Sequence, residues 1–110
     1  MKQQSETELT KAIRSVLKTC GIFHFKHWGG PMSPKGIADI LGILPTGRML
    51  AIEVKKPGWA PPSPGAKAFR HHQEQQRFID TINANGGVAF FASSIEDVIN
   101  GLGLQDRFLF

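Results

Sequence analysis

The stretch GIADILGILPTGRMLAIEVK, residues 36–55, decides how this chain of 110 residues is read. Ile37 to Leu44 is mainly apolar and reads as a strand broken at Gly42. Pro45-Thr46-Gly47 is turn chemistry, and Arg48 to Lys55 is the clearest strand in the chain, so the two runs are expected to pair as a hairpin. Side chains alternate across a sheet, which sets Leu50, Ile52 and Val54 on one face and Ala51, Glu53 and Lys55 on the other. The first trio packs a core against a helix. Glu53 and Lys55 then project together, about 7 Å apart along the strand. Taken alone, a Glu-x-Lys also fits a solvated strand end with an ion pair. Asp39 stands at the start of its own apolar strand, where an unpartnered carboxylate is costly to bury, or else caps the turn after Gly36. In hairpin register Asp39 comes near Glu53. Two converging carboxylates with a lysine beside them make an oxygen-rich site suited to Mg²⁺ or Mn²⁺.

Working outward, Ser5-x-x-Glu8 reads as a capping box. The helix that follows carries Leu9, Ala12, Ile13, Val16, Leu17 and Cys20 on one stripe and ends at Gly21. Ile22 to Phe25 is a short strand, and residues 29–34 form a loop by composition. Residues 56–67 hold four prolines and two glycines and are expected to form an extended flap. Ala68 to Asn85 is helical and closed by Gly86-Gly87, Val88 to Ala92 is a last strand, and a short helix runs from Ser94 to about Leu102. The order is α-β-β-β-α-β-α, a mixed α/β arrangement in a single domain spanning 1–110.

Composition narrows the function. The 41% hydrophobic content supports a core without disulfides, and the lone Cys20, on the first helix's apolar stripe, reads as a packing thiol in a reducing compartment. No segment approaches the roughly 20 apolar residues of a membrane span, and the polar N-terminus carries no signal-peptide pattern. A soluble cytoplasmic protein without a membrane partner is expected. The net charge of +4 is modest, but its placement is informative: between Lys26 and Arg77 lie eight basic residues and only three acids, Asp39, Glu53 and Glu74. A polyanion is attracted to such a stretch, with the scarce carboxylates placed to hold a metal against it. Lys35, Lys56, Lys67 and Arg70 flank the proposed site as phosphate-binding candidates, or as solvated loop charges. His24, His27, His71 and His72 show no zinc spacing with the single cysteine. Trp28 and Trp59, in Gly/Pro-rich loops, either stack on bases or anchor their loops.

Asp39 followed by Glu53-Val54-Lys55 resembles the catalytic signature of the PD-(D/E)XK nuclease superfamily. Gly36-Ile37-Ala38-Asp39, the strand into Glu53-Val54-Lys55-Lys56-Pro57, and a later glutamine before Phe78-Ile79 and Gly86-Gly87 together resemble the VRR-NUC family. The likeness is to its compact stand-alone phage and bacterial members and spans Glu6 to Gly87. Ala38 stands where the superfamily name has proline, at a position that is not a ligand. The resemblance implies a restriction-endonuclease-like fold, with a mixed central sheet flanked by helices. It also implies phosphodiester hydrolysis of DNA by one or two Mg²⁺ or Mn²⁺ held by Asp39, Glu53 and the Val54 carbonyl, with Lys55 orienting water or phosphate.

The resemblance implies a third acid on the first helix as well. Glu6 falls near the edge of the apolar stripe on a helical wheel, whereas Glu8 points away and serves the capping box, so Glu6 is preferred; an ordinary exposed helix acid remains the alternative. Among three glutamines, Gln75 lies in the apolar stripe with Phe78, Ile79 and Ile82 and needs a polar partner. Its spacing also matches the family's glutamine, and a supporting role at the site follows, set against simple placement on the helix surface. Stand-alone members resemble Holliday-junction resolvases, so junction or branched DNA and a homodimer are implied. A sequence-specific restriction-type endonuclease and a non-catalytic DNA-binding module of the same fold are the competing readings.

Overall fold

The computed structural model describes residues 4–104. The elements follow the predicted order: α1 (Glu6–Thr19), β1 (Phe23–Lys26), β2 (Ile40–Ile43), β3 (Met49–Val54), α2 (Phe69–Ala84), β4 (Val88–Ala92) and α3 (Ile95–Leu102). The strands form one four-stranded sheet in the order β1-β2-β3-β4, antiparallel except for the parallel β3–β4 pair. That last pair requires a crossover, which α2 supplies.

The helix ends are set locally. The Ser5 hydroxyl accepts from the Glu8 N–H at 3.1 Å, and the Glu8 carboxylate accepts from the Ser5 N–H at 3.2 Å, completing the capping box. Such a cap stabilises a helix by about 1 kcal/mol. The Ser94 hydroxyl caps α3 by accepting from the Asp97 N–H. At the end of α2 the Gly87 N–H bonds back to the Ile82 carbonyl.

Two apolar layers enclose the sheet. Leu9, Ile13 and Leu17 of α1 and Val98 of α3 pack on Ile40, Leu50, Ile52 and Val54. On the opposite face Ile79 of α2 packs with Ala38, Ala51 and Ala89. β3 is therefore buried on both faces from Leu50 onward, which is why its run reads as continuous apolar sequence rather than strict alternation. Thr10 is buried although it lies outside the predicted stripe; its hydroxyl donates to the Glu6 carbonyl at 2.8 Å, so it brings no unpaired donor into the contact. Cys20 follows α1 as its C-cap, half-buried against the same layer.

Three strand expectations are corrected. β2 begins at Ile40 rather than Ile37, because the chain before it leaves the ladder to pack on α2. Gly42 does not break the strand: it pairs with His24 and Leu50. A Cβ there would collide with the Phe23 carbonyl oxygen and lie 3.0 Å from the His24 Cβ. The glycine is present because β1 crosses too closely to admit a side chain. Similarly, β1 excludes Ile22 and includes Lys26.

α2 lies mainly over β3 and β4, with Leu41 of β2 packed at the edge of its cluster. Phe23 and Phe25 of β1, Ile43 of β2 and Met49 at the start of β3 are exposed. Among the described residues no helix is long and apolar enough to cross a membrane.

Candidate active site

The site lies where β2 and β3 part. Ile40 pairs with Ile52, and one step further Asp39 meets the end of β3. At the turn the Leu44 N–H donates to the Arg48 carbonyl, so even-numbered residues of β3 aim their backbone groups at β2. At Val54 no strand remains opposite, and the Asp39 side chain replaces it: the Val54 N–H donates to Asp39 Oδ2 at 3.0 Å. The Val54 carbonyl shares that edge, because N–H and C=O of one strand residue point the same way. Val54 thus offers backbone to the site while its side chain is fully buried in the core.

Glu53 and Asp39 face a cleft of about 590 Å³, which Glu6, Lys55 and Gln75 also line. Glu53 is only 5% exposed, and its Oε2 is buried with no hydrogen-bond partner among the described residues. Burial and the neighbouring Asp39 carboxylate push the Glu53 carboxyl up to about 9, against a weaker opposing pull from Lys55. An acid so placed is protonated at neutral pH unless a cation joins it.

Lys55 is held from two sides. Its ammonium donates to Gln75 Oε1 at 2.8 Å, and this contact explains how a glutamine 5% exposed survives in the apolar stripe of α2. The same ammonium lies over aromatic rings, with Nζ 5.5 Å from the Trp59 ring centroid and 5.9 Å from that of Phe91. Trp59 stacks on Phe91 at 5.1 Å and tilts against His72 at 5.7 Å. The Pro-rich stretch 56–67 is thereby pinned at Trp59, and Phe91 stands opposite Glu53 on β4.

Asp39 is carried by a segment seated on α2. Gly36 has φ of 81°, and a Cβ there would stand 2.5 Å from the Glu74 carbonyl oxygen and 3.1 Å from the Gln75 nitrogen. The missing side chain lets this segment touch the helix backbone next to Gln75.

The other expected residues separate clearly. Glu6 lines the cleft, whereas Glu8 is fully exposed and engaged with Ser5. Gln73 is exposed and Gln76 donates to Asp80, so neither approaches the site. Lys35 is exposed on the cleft wall, and Lys56, Lys67 and Arg70 are exposed outside its lining. Sequence reasoning missed Lys26, whose ammonium lies 3.7 Å from Asp39 Oδ1 and over the Trp28 ring at 4.7 Å. Only the β1–β2 register, which is invisible in the sequence, brings it there.

The donor set suits a hard divalent cation: two carboxylates, one carrying a buried oxygen without a partner, and a backbone carbonyl edge beside them. Among the described residues no group of three or more His, Cys, Asp or Glu side chains is arranged to hold a metal. Asp39, Glu53 and the Val54 backbone edge lie together, with Glu6 on the cleft wall.

No protein-family model matches this chain, and no curated protein does. A solved structure titled "VRR_NUC domain" does match: it superposes with a TM-score of 0.63 over 94% of this chain and 97% of that one, at 23% sequence identity. The mixed four-stranded sheet between α2 on one face and α1 and α3 on the other thus has the fold of a VRR-NUC domain.

Proposed function

We propose that this chain is a metal-dependent DNA endonuclease that hydrolyses phosphodiester bonds. One observation carries the reading: the buried, unpartnered Glu53 Oε2 beside the Asp39 carboxylate, at the floor of an open cleft with an oriented lysine. Asp39, Glu53 and the Val54 carbonyl would hold Mg²⁺ or Mn²⁺, with Glu6 contributing from α1. When bound, the cation supplies Lewis-acid chemistry, acidifying water and offsetting charge that builds on the phosphate.

The protein's own groups supply positioning. Lys55, held by Gln75 and walled by Trp59 and Phe91, presents an ammonium that orients the attacking water or a phosphate oxygen. Gln75 acts through Lys55 as a positioning residue. The Val54 N–H fixes one oxygen of Asp39, which keeps that carboxylate from turning away. Lys35 is exposed on the cleft wall, and it is proposed as a phosphate contact together with the exposed Lys56, Lys67 and Arg70.

The proposed substrate is branched or four-way-junction DNA. The described elements are the sheet and its covering helices, and the reading of the substrate follows from the likeness to stand-alone junction-cleaving nucleases. Cutting two strands symmetrically calls for a homodimer, and the bare apolar surface of Phe23, Phe25, Ile43 and Met49 offers a face for a second copy. The test is incubation with a four-way junction and a matched linear duplex in Mn²⁺, with and without chelator. Metal-dependent cleavage of the junction in preference to the duplex is expected. Sequence-specific cutting of the duplex would favour a restriction-type enzyme, and no metal-dependent product would favour a binding module.

A further inference from the structure

A groove apart from the catalytic cleft opens beside α1. It measures about 720 Å³ and lies between α1 and the start of β1, lined by Lys11, Arg14 and Lys18 together with Ile22, Phe23 and His24. These three cations follow at spacings of three and four residues, which places them within about 60° of one another on the helix. All three are exposed, and none forms a salt bridge among the described residues. No acid lines that groove.

The groove is continuous with the active site. A second depression shares Lys11 and Arg14 with it, shares Glu6 and Asp39 with the catalytic cleft, and is floored between them by Lys26 and Trp28. Among the described residues that line the two depressions, the only acids are Glu6 and Asp39 at the catalytic end. Trp28 is 79% exposed with the Lys26 ammonium over its ring, an arrangement that presents both a stacking face and a positive charge.

Resting on the nuclease reading above, we infer that this trough binds the sugar-phosphate backbone of the DNA arm that extends from the scissile phosphate, with Lys11, Arg14 and Lys18 as phosphate contacts. None of Lys35, Lys56, Lys67 and Arg70 lines this trough. From Glu6 to Lys18 the helix rises about 18 Å. At about 3.4 Å per phosphate along one strand, the trough spans roughly five nucleotides on one side of the cut.

The test is the affinity of the full chain for a labelled duplex, read by fluorescence anisotropy in chelator across a salt series. For Lys11→Ala/Arg14→Ala/Lys18→Ala the slope of log K against log salt should fall by roughly 2 to 3, at about 0.9 per lost phosphate contact. Affinity near 0.1 M salt should drop at least tenfold, and the difference from wild type should vanish once the arm is shorter than about five base pairs. Arg77→Ala, an exposed charge outside this path, should keep the wild-type slope. Lys18→Ala alone, should the triple variant not fold, should lose about one unit of slope. A wild-type slope and affinity in these variants overturns the trough, and metal-dependent cleavage by wild type in the same experiment leaves the nuclease reading standing. Trough-dependent binding without any cleavage does the reverse. Failure of the wild-type chain to bind DNA overturns both.

Discussion

Replacing Glu53 by glutamine should make the metal-free protein more stable while destroying its response to metal. Glu53 has an ordinary value of 4.5 and is pushed up to about 9 in the folded protein by burial and by Asp39. A group with a raised carboxyl pKa binds more protons folded than unfolded, so stability falls as pH rises from about 4.5 towards about 9. At pH 7 the interval above 4.5 amounts to about 3 kcal/mol, at about 1.36 kcal/mol per pH unit. Glu53→Gln removes this penalty, and its amide N–H can donate to the Asp39 carboxylate. After burial of the amide's own polar atoms, about 2 to 3 kcal/mol should remain, or about 10 °C in Tm for a chain of this size. The assay is thermal unfolding in chelator at pH 5, 7 and 8, repeated in Mn²⁺. Wild type should lose stability between pH 5 and pH 8 in chelator and recover it in Mn²⁺, by about 2.7 kcal/mol at a hundredfold excess over Kd. The variant should be flatter with pH and gain little from metal. A Glu53→Gln protein less stable than wild type in chelator at pH 8, or wild-type stability that rises from pH 5 to pH 8, would refute the reasoning.

Three further perturbations separate the parts of the site. Gln75→Ala removes the acceptor that holds Lys55; a hydrogen bond to a charged group contributes about 1.5 to 3 kcal/mol, so single-turnover cleavage should slow roughly 10- to 100-fold with circular dichroism unchanged. Glu6→Gln should lower cleavage without changing Tm, whereas Glu8→Gln should lower Tm slightly and leave cleavage intact, measured side by side on one substrate. Gly36→Ala forces a Cβ against the Glu74 carbonyl at a positive φ and should cost about 2 to 4 kcal/mol by urea unfolding, with loss of activity through the displaced Asp39 segment.

Much of this was legible because it is local. The capping box, the stripe on α1 and the turn at Pro45-Thr46-Gly47 are set by neighbours in sequence, and the structure places each where periodicity and turn chemistry put it. Gln75 was legible for a subtler reason: a polar amide in an apolar stripe demands a partner, and Lys55 is that partner. What escaped depends on register and packing between distant segments. Lys26 reaches Asp39 only because β1 pairs with β2 at Lys26↔Ile40. Gly42 looked like a strand breaker because the close crossing of Phe23 that requires it lies nineteen positions earlier. The late start of β2 has the same origin, in the contact of Gly36 with the α2 backbone. The aromatic wall around Lys55 joins a loop, a helix and a strand, and no periodicity within any of them announces it.

The central claim is that Asp39 and Glu53 form a hydrolytic centre on this fold. The most direct measurement is the cleavage rate of four-way-junction DNA in Mn²⁺ by purified wild-type and Asp39→Ala proteins, with DNA affinity of both determined in chelator. Cleavage by wild type that disappears in Asp39→Ala, at comparable affinity, is the predicted result. Undiminished cleavage by Asp39→Ala would contradict it.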